Sequence, residues 1–381
     1  MRILVLSDLP QFVTGGAEKQ AANLIEAWMD NGHEVNCFGR RMGSGCGSVR
    51  LGRHEVPVRR IGTIQRFGRL LRGISYLLSL AGLLLQHRRC FDVIYTRFLG
   101  EAALTVSLLK RTGLLNVALV ATPASTGSNG GDLSLFAGLG FHRQLVHLLD
   151  TQCDAINLIA PAMANELRCN GFSGKRFAHI PNGVIVCHQP PVYRERPHCA
   201  ITVGRIAAQK GYDLLIAALA ALPPPLSPGI LRIVGDGPEK EKLIALAETL
   251  GVAKAITWVG ELDHADVMHE LSNARVFVLP SRYEGMSNAG LEAMERGLAL
   301  LITRCGGLDT YIQPDMGWVI PSEDSQALAQ ALNMAMSSTP ELLAMMGERN
   351  RTTALQHFDI TMIAARYADL FKSVIAARRT H

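Results

Sequence analysis

The sequence predicts an α/β protein made of two parallel-sheet domains, on three observations. Short β-branched runs alternate with longer helical stretches, the rhythm of a parallel sheet covered by helices. That rhythm stops in a loop from Pro181-Asn-Gly-Val through Pro190-Pro191 to Pro197, and restarts at Cys199. Four strand ends run into glycine loops that open helices, at Thr14–Glu18, Val203–Gly211, Ile233–Lys240 and Pro280–Glu292. At 381 residues, 48% hydrophobic and only 6% aromatic, the chain can fill two cores with Leu, Ala and Val.

In chain order, Arg2–Ser7 reads as a strand, Val13–Gly16 as a glycine loop, and Ala17–Asn31 as a helix stopped by Gly32. Glu34–Phe38, Val93–Tyr95, Ala118–Ala121 and Ala155–Leu158 are further strands. Beyond the loop, strand Cys199–Val203 leads to helix Lys210–Ala221, and strand Ile230–Val234 to helix Glu239–Leu250. Strands Ala255–Val259 and Val276–Leu279, helix Ala289–Arg296 and strand Ala299–Thr303 follow. These readings divide the chain into a first domain over 1–188, a second over 189–358 and a final helical segment over 359–381. In that last segment Ile363, Tyr367, Leu370, Phe371 and Val374 form an apolar face at helical spacing, which leaves open the domain it covers.

Charge and cysteine usage narrow the function classes. The net charge is +5, but the stretch from Arg50 to Arg89 holds nine Arg and one acid, Glu55, a net of about +8. A nucleic-acid partner is therefore not expected; a local basic surface is. Within it, Arg66, Arg69 and Arg72 begin a polar stripe on a Leu-rich helix. Such a helix packs its Leu on a sheet, and it can also seat its Arg on an anionic membrane. The eight Cys contain no C-x-x-C spacing, which suits a reducing cytosol. The N-terminal apolar run ends at Asp8, too soon for a signal peptide, and no apolar run reaches the roughly 20 residues of a membrane span. A cytoplasmic protein is expected, with peripheral attachment to the inner membrane face as an option.

The richest stretch is Pro280-Ser-Arg-Tyr-Glu-Gly-Met-Ser-Asn-Ala-Gly-Leu-Glu292. It follows a strand and enters a helix near Ser287 or Asn288, both N-cap types. A helix N-terminus in that place offers free N–H groups to phosphate. Glu284 and Glu292 stand eight positions apart, about 12 Å if helical, the span from ribose to sugar in a nucleotide-diphosphate sugar. Two surface Glu flanking a helix start would show the same spacing. In the second glycine loop, Arg205 and Lys210 could neutralise a diphosphate at the strand ends.

Taken together, these motifs resemble glycosyltransferase family 4. The resemblance rests on Gly15-Gly16-Ala17-Glu18, Pro181-Asn182-Gly183-Val184, Val203-Gly204-Arg205 with Lys210-Gly211, Val234-Gly235-Asp236-Gly237-Pro238, Glu284-Gly285 with Glu292-Ala293-Met294, Gly306-Gly307 and Gly317-Trp318-Val319. It covers nearly the whole chain and is strongest from 180 to 325. It implies a GT-B fold: two Rossmann-like domains facing a central cleft, with the C-terminal helix crossing back to the first. It also implies a retaining hexosyltransferase that uses a UDP- or GDP-sugar, a glycan or lipid-linked acceptor, and no cofactor. Exopolysaccharide or lipopolysaccharide synthesis is the expected setting.

By the same resemblance, Glu284 contacts the transferred sugar and Glu292 the ribose, while Arg205 and Lys210 grip the diphosphate. Backbone at Gly285, Met286, Ser287 and Asn288 holds phosphate, with Gly15, Gly16, Gly204 and Gly235 also at the donor. No Asp-x-Asp occurs in the chain, so no metal is expected. Three positions depart from the family pattern. Gly297-Leu-Ala-Leu300 lacks the usual Pro, Thr310 replaces a Glu, and the first-domain loop 121–132 lacks a His. Ser125, Thr126 and Asp132 are the polar groups of that loop and the acceptor-side candidates. A sugar-nucleotide epimerase of the same fold and a silent nucleotide-sugar binder remain alternatives. A dinucleotide oxidoreductase ranks last, since no Gly-x-Gly-x-x-Gly is followed by an acid about 20 residues on.

Overall fold

Strands form where β-branched and apolar residues run together, and helices form where apolar residues recur every three or four positions. In a computed structural model, residues 1–13, 15–43, 47–64, 68–124, 140–187, 196–197 and 199–379 are described, without the side chains of 69, 70 and 379. The first half runs β1 (Arg2–Leu6), α1 (Gly16–Asp30), β2 (Glu34–Gly39), β3 (Ser48–Leu51), β4 (His54–Arg60), α2 (Gly68–Gln86), β5 (Val93–Thr96), α3 (Glu101–Arg111), β6 (Ala118–Ala121), α4 (His142–Gln152), β7 (Ala155–Leu158), α5 (Met163–Cys169) and β8 (Phe177–His179). Then follow β9 (Ala200–Val203), α6 (Tyr212–Ala220), β10 (Leu231–Val234), α7 (Lys240–Thr249), β11 (Ile256–Gly260), α8 (His264–Ser272), β12 (Val276–Leu279), α9 (Asn288–Glu295), β13 (Ala299–Thr303), β14 (Gly317–Ile320), α10 (Ser325–Ser337), α11 (Pro340–His357) and α12 (Ile360–Arg379).

Two units result: Met1–Gly183 together with Ile360–His381, and Val184–Asp359. The switch from one to the other thus falls at 183/184, a few residues before 188, which itself lies outside the described residues.

The first unit has an eight-stranded sheet in the order β3-β4-β2-β1-β5-β6-β7-β8. All pairs are parallel except β3–β4. That hairpin is absent from the sequence reading, because its arginines mask it. Val49, Leu51, Val56 and Val58 point inward while Arg50, Arg59 and Arg60 point out, a half-buried edge. The core gathers around Trp28, with Tyr95 at 5.4 Å, Tyr367 at 6.0 Å and Phe371 at 5.3 Å between ring centres. Two of these rings belong to α12, whose Ile363, Tyr367, Phe371 and Val374 are buried in this unit. The Trp28 indole donates to Ala364 O at 3.1 Å, and Asn157 donates to the Tyr367 hydroxyl at 2.7 Å.

The second unit has a six-stranded, all-parallel sheet in the order β11-β10-β9-β12-β13-β14. The chain builds outward from β9 to β11, then returns to add β12 on the other side of β9. The connections after β9 and β12 therefore diverge to opposite sides, which leaves a crevice at the strand ends between them.

Candidate functional site

The second unit's crevice is where the sequence motifs meet. Strand β9 ends at Val203, and the loop that follows carries Gly204, Arg205 and a three-residue 3-10 turn, Ala208–Lys210. The sequence reading began a helix at Lys210. The helix begins instead at Tyr212, because Gly211 takes a left-handed φ of +65° and interrupts the run. Gly211 also lies against the neighbouring loop: a Cβ there would stand 2.1 Å from Pro280 O. Only Gly satisfies both demands. Gly235, at the end of β10, approaches just as closely, since its Cβ would meet Gly204 O at 2.1 Å.

From the other side of the crevice, β12 delivers Pro280–Glu284. Lys210 and Glu284 form an ion pair, with side chains 19% and 12% exposed. Burial works against the Lys210 ammonium, but Glu284 outweighs it and holds the pKa above its ordinary value. The Ser281 hydroxyl also reaches Glu284, at 3.4 Å. The Ser281 carbonyl is in turn held by Thr303 and Cys305 from the end of β13. Thr303 and Cys305 belong to no motif read in the sequence, and Arg282 lies inside the Pro280–Glu292 stretch but was given no role there.

Glu292 is 7% exposed, so neither Glu is the surface residue that spacing alone would permit. The 12 Å argument holds for half of its span. Residues 284–287 precede the helix, and only Asn288 onward is helical. Ser287 caps α9 by accepting from Gly290 N at 3.2 Å, its extended backbone marking the break. Gly285 is half-buried, Met286 buried, and Asn288 is the first helical residue. Thr310, in the place of a Glu, closes its own turn by donating to Gly307 O at 2.7 Å.

Not every candidate joins the cluster. The Arg205 side chain is exposed and makes no hydrogen bond or ion pair among the described residues. Gly15 and Gly16 belong to the first unit, where Gly15 caps α1 and Gly16 begins it. Ser125, Thr126 and Asp132, together with Arg66 and the Arg69 side chain, lie outside the described residues.

The first unit has a switch point of its own, between β1 and β5. A cavity of about 290 Å³ opens there, lined among others by Asp8, Glu18, Arg40, Arg41, Tyr76 and Glu101. Burial pushes the Glu18 carboxyl up, and nearby Asp8 adds to it.

Comparison with known proteins agrees with this two-domain architecture. The model for glycosyl transferases group 1 matches residues 188–353, and that for a glycosyl transferase 4-like domain matches residues 15–183. The GDP-mannose-dependent alpha-(1-6)-phosphatidylinositol monomannoside mannosyltransferase of Mycolicibacterium smegmatis is 29% identical over 58% of this chain. The chain spans about three-fifths (59%) of that relative's length. The putative colanic acid biosynthesis glycosyltransferase WcaL of Escherichia coli is 26% identical over 74% of this chain and 71% of its own. Among solved structures, sucrose-phosphate synthase from Thermosynechococcus elongatus superposes with a TM-score of 0.81, covering 99% of this chain and 100% of its own at 21% identity. That likeness concerns the fold. With both halves matched, each by the model proper to it, and the two parallel-sheet domains in place, the chain belongs to the family-4-like glycosyltransferases of the GT-B arrangement.

Proposed function

We propose that the protein transfers a hexose, with retained anomeric configuration, from a UDP- or GDP-sugar to a glycan or lipid-linked acceptor. The setting is cytoplasmic assembly of a bacterial exopolysaccharide or lipopolysaccharide. The observation that carries the reading is the Lys210–Glu284 pair in the crevice between β9 and β12, beside the Ser287-capped helix that holds Glu292. The names of two relatives, a GDP-mannose mannosyltransferase and a colanic acid glycosyltransferase, support the donor class and the setting.

In this mechanism the helix N-terminus and Lys210 take the diphosphate, Glu284 the sugar hydroxyls and Glu292 the ribose. Arg205, exposed and uncommitted to any partner described, is free to swing onto the phosphates. The acceptor hydroxyl attacks the anomeric carbon on the face the diphosphate leaves, the carbon–oxygen bond to phosphate breaks, and the departing phosphate oxygen takes the acceptor's proton. Lys210 stabilises charge that grows on the leaving group, which is where catalysis is largest. A resident metal is not needed if these groups neutralise the diphosphate, and the chain has no Asp-x-Asp to hold one. In the first unit, the cavity of Asp8, Arg40, Arg41 and Glu101 offers polar groups to an acceptor.

Peripheral membrane attachment is part of the proposal, through α2. No helix among the described residues is long and apolar enough to cross a membrane. However, Leu71, Ile74 and Leu78 of α2 are 47%, 43% and 69% exposed, beside exposed Arg72.

The test is release of nucleoside diphosphate from a panel of UDP- and GDP-sugars, with and without glycan and lipid-linked acceptors. Release that depends on an acceptor, persists in EDTA and yields a retained linkage is the expected outcome. Release of none from any donor leaves the silent binder, and an epimerised sugar nucleotide leaves the epimerase. Loss in EDTA with rescue by manganese overturns the metal-free mechanism.

A further inference from the structure

The loops after β9 and β12 are joined by more than the Lys210–Glu284 pair, and most of the added contacts run through Arg282. Its backbone N–H donates to Gln209 O at 2.8 Å. Its Nη1 donates to Ala208 O at 2.6 Å and to Asp213 Oδ1 at 2.9 Å, and its Nη2 to Asp213 Oδ2 at 2.7 Å. Its Nε donates to Glu323 Oε1 at 3.2 Å. In return, Gln209 Nε2 donates to Tyr283 O at 2.9 Å. One guanidinium therefore grips the turn that bears Lys210, the first turn of α6 and the segment after β14.

The turn needs such a grip. Its own closure rests on two backbone bonds, Lys210 N to Ala207 O at 2.9 Å and Gly211 N to Ala208 O at 3.2 Å. A 3-10 turn of three residues has weak geometry and little internal support. A planar fork with five donors can hold a carbonyl and a carboxylate at once, which the single point of a Lys ammonium cannot. The Arg282–Asp213 pair keeps 24% of the Arg side chain exposed. An isolated pair at that exposure contributes little to stability. Its value lies in what it fixes: it aims the guanidinium so that Nη1 holds Ala208 O, at the start of the turn that ends in Lys210.

We propose that Arg282 is a positioning residue for the transfer reaction: it locks the Ala208–Lys210 turn so that the Lys210 ammonium stands ready when charge develops on the departing diphosphate. This rests on the reading of Lys210 as the diphosphate cation. Arg282 itself touches neither Lys210 nor Glu284; it acts through the backbone that carries Lys210. Donor binding tolerates a loose Lys210, which can still find a phosphate in the ground state. The transition state does not, because misplacement near 1 Å costs on the order of 100-fold in rate.

The experiment compares wild type with Arg282→Gln, Arg282→Lys and Asp213→Asn. Arg349→Gln, which removes an exposed ion pair to Asp315 at 3.5 Å, is the control. Three quantities are read: steady-state kinetics on the donor found by the panel, UDP and GDP binding by calorimetry, and hydrogen exchange over residues 205–213. Arg282→Gln is expected to lose kcat on the order of 100-fold, with a much smaller change in donor KM. Exchange at Lys210 and Gly211 rises with it, at an unchanged melting temperature. Arg282→Lys and Asp213→Asn fall between, and Arg349→Gln matches wild type. Should Arg282→Gln fail to fold, Asp213→Asn keeps the guanidinium and must still raise exchange and lower kcat. Wild-type kcat in Arg282→Gln overturns the proposal, and so does a lower kcat with unchanged exchange at Lys210. If the wild type binds neither UDP nor GDP and turns nothing over, the proposed function fails, which is a different result from a normal wild type with an unaffected Arg282→Gln.

Discussion

Lys210, paired with Glu284, and Glu292, buried on α9, are proposed to act at different moments, and kinetics can separate them. The diphosphate gains charge as the sugar departs, so a cation bound to it strengthens in the transition state. Lys210→Ala should cost roughly 2–4 kcal/mol, about 30- to 1,000-fold, and most of it in kcat. A ribose contact is equal in ground and transition states, so Glu292→Ala should raise KM and leave kcat nearly intact. Wild-type kcat in Lys210→Ala would make Lys210 a structural ion. The pairing also sets a pH range. Because Glu284 holds the ammonium above its ordinary 10.5, Lys210 stays charged through neutrality. On the alkaline side, the stability linked to Lys210's own titration is fully present below about 10.5 and is lost as pH rises through the raised value. At this scale Lys210, Glu284 and Glu292 could be picked out because several glycine loops at strand ends occur together, whereas a single charge there, such as Arg205, is often only a solvated loop residue. Thr303, Cys305 and Arg282 were not, since they hold loop carbonyls, and neither was Ser281, whose hydroxyl reaches Glu284; any sequence can supply such donors.

Helix α2 shows how an element can be found while part of its exposed face goes unforeseen. Its Leu-rich composition suggested apolar residues on the sheet and Arg toward solvent. Tyr76, Leu80 and Leu84 are buried, but Leu71, Ile74 and Leu78 form a second apolar stripe facing out. Arg72 does face out, as the polar stripe suggests, but part of the wide apolar face is left uncovered beside it, and periodicity could not say how much of that face the core takes. If the outer stripe seats the protein on lipid, Leu78→Gln and Arg72→Gln should each weaken co-sedimentation with anionic vesicles. Burying one Leu contributes roughly 1.5–3 kcal/mol, and one near-surface Arg about 1 kcal/mol. Equal sedimentation of wild type and both variants would make the stripe a bare surface. The start of α6 was misplaced for a different reason: Gly211 was read inside the helix, whereas its φ is left-handed and it lies against Pro280 O, in a loop about 70 residues away in sequence.

For the whole molecule, the restart of the strand–helix rhythm made two sheets legible, and each sheet's core followed from its β-branched strands. What composition could not give was the destination of α12. Its apolar face is plain in sequence and left the unit open; the family resemblance implied the first, and there the rings of Trp28 and Tyr95 pack against it. Phe371 is fully buried in that ring cluster. Phe371→Ala should therefore destabilise the first unit by about 3–5 kcal/mol and leave the second unchanged. Thermal unfolding followed separately by hydrogen exchange in the two units checks this; equal loss in both would contradict it.

The placement of α12 also governs the order in which a newly made chain can mature. Residues 184–359 are contiguous and can fold as soon as they leave the ribosome, while the segment before them waits for Ile360–Arg379 to close its sheet. During that interval the face of Trp28, Tyr95 and Asn157 that α12 later covers stays open to water. The unit begun first is thus completed only after the second, and until Ile360–Arg379 has emerged, that uncovered aromatic face is what a chaperone would meet.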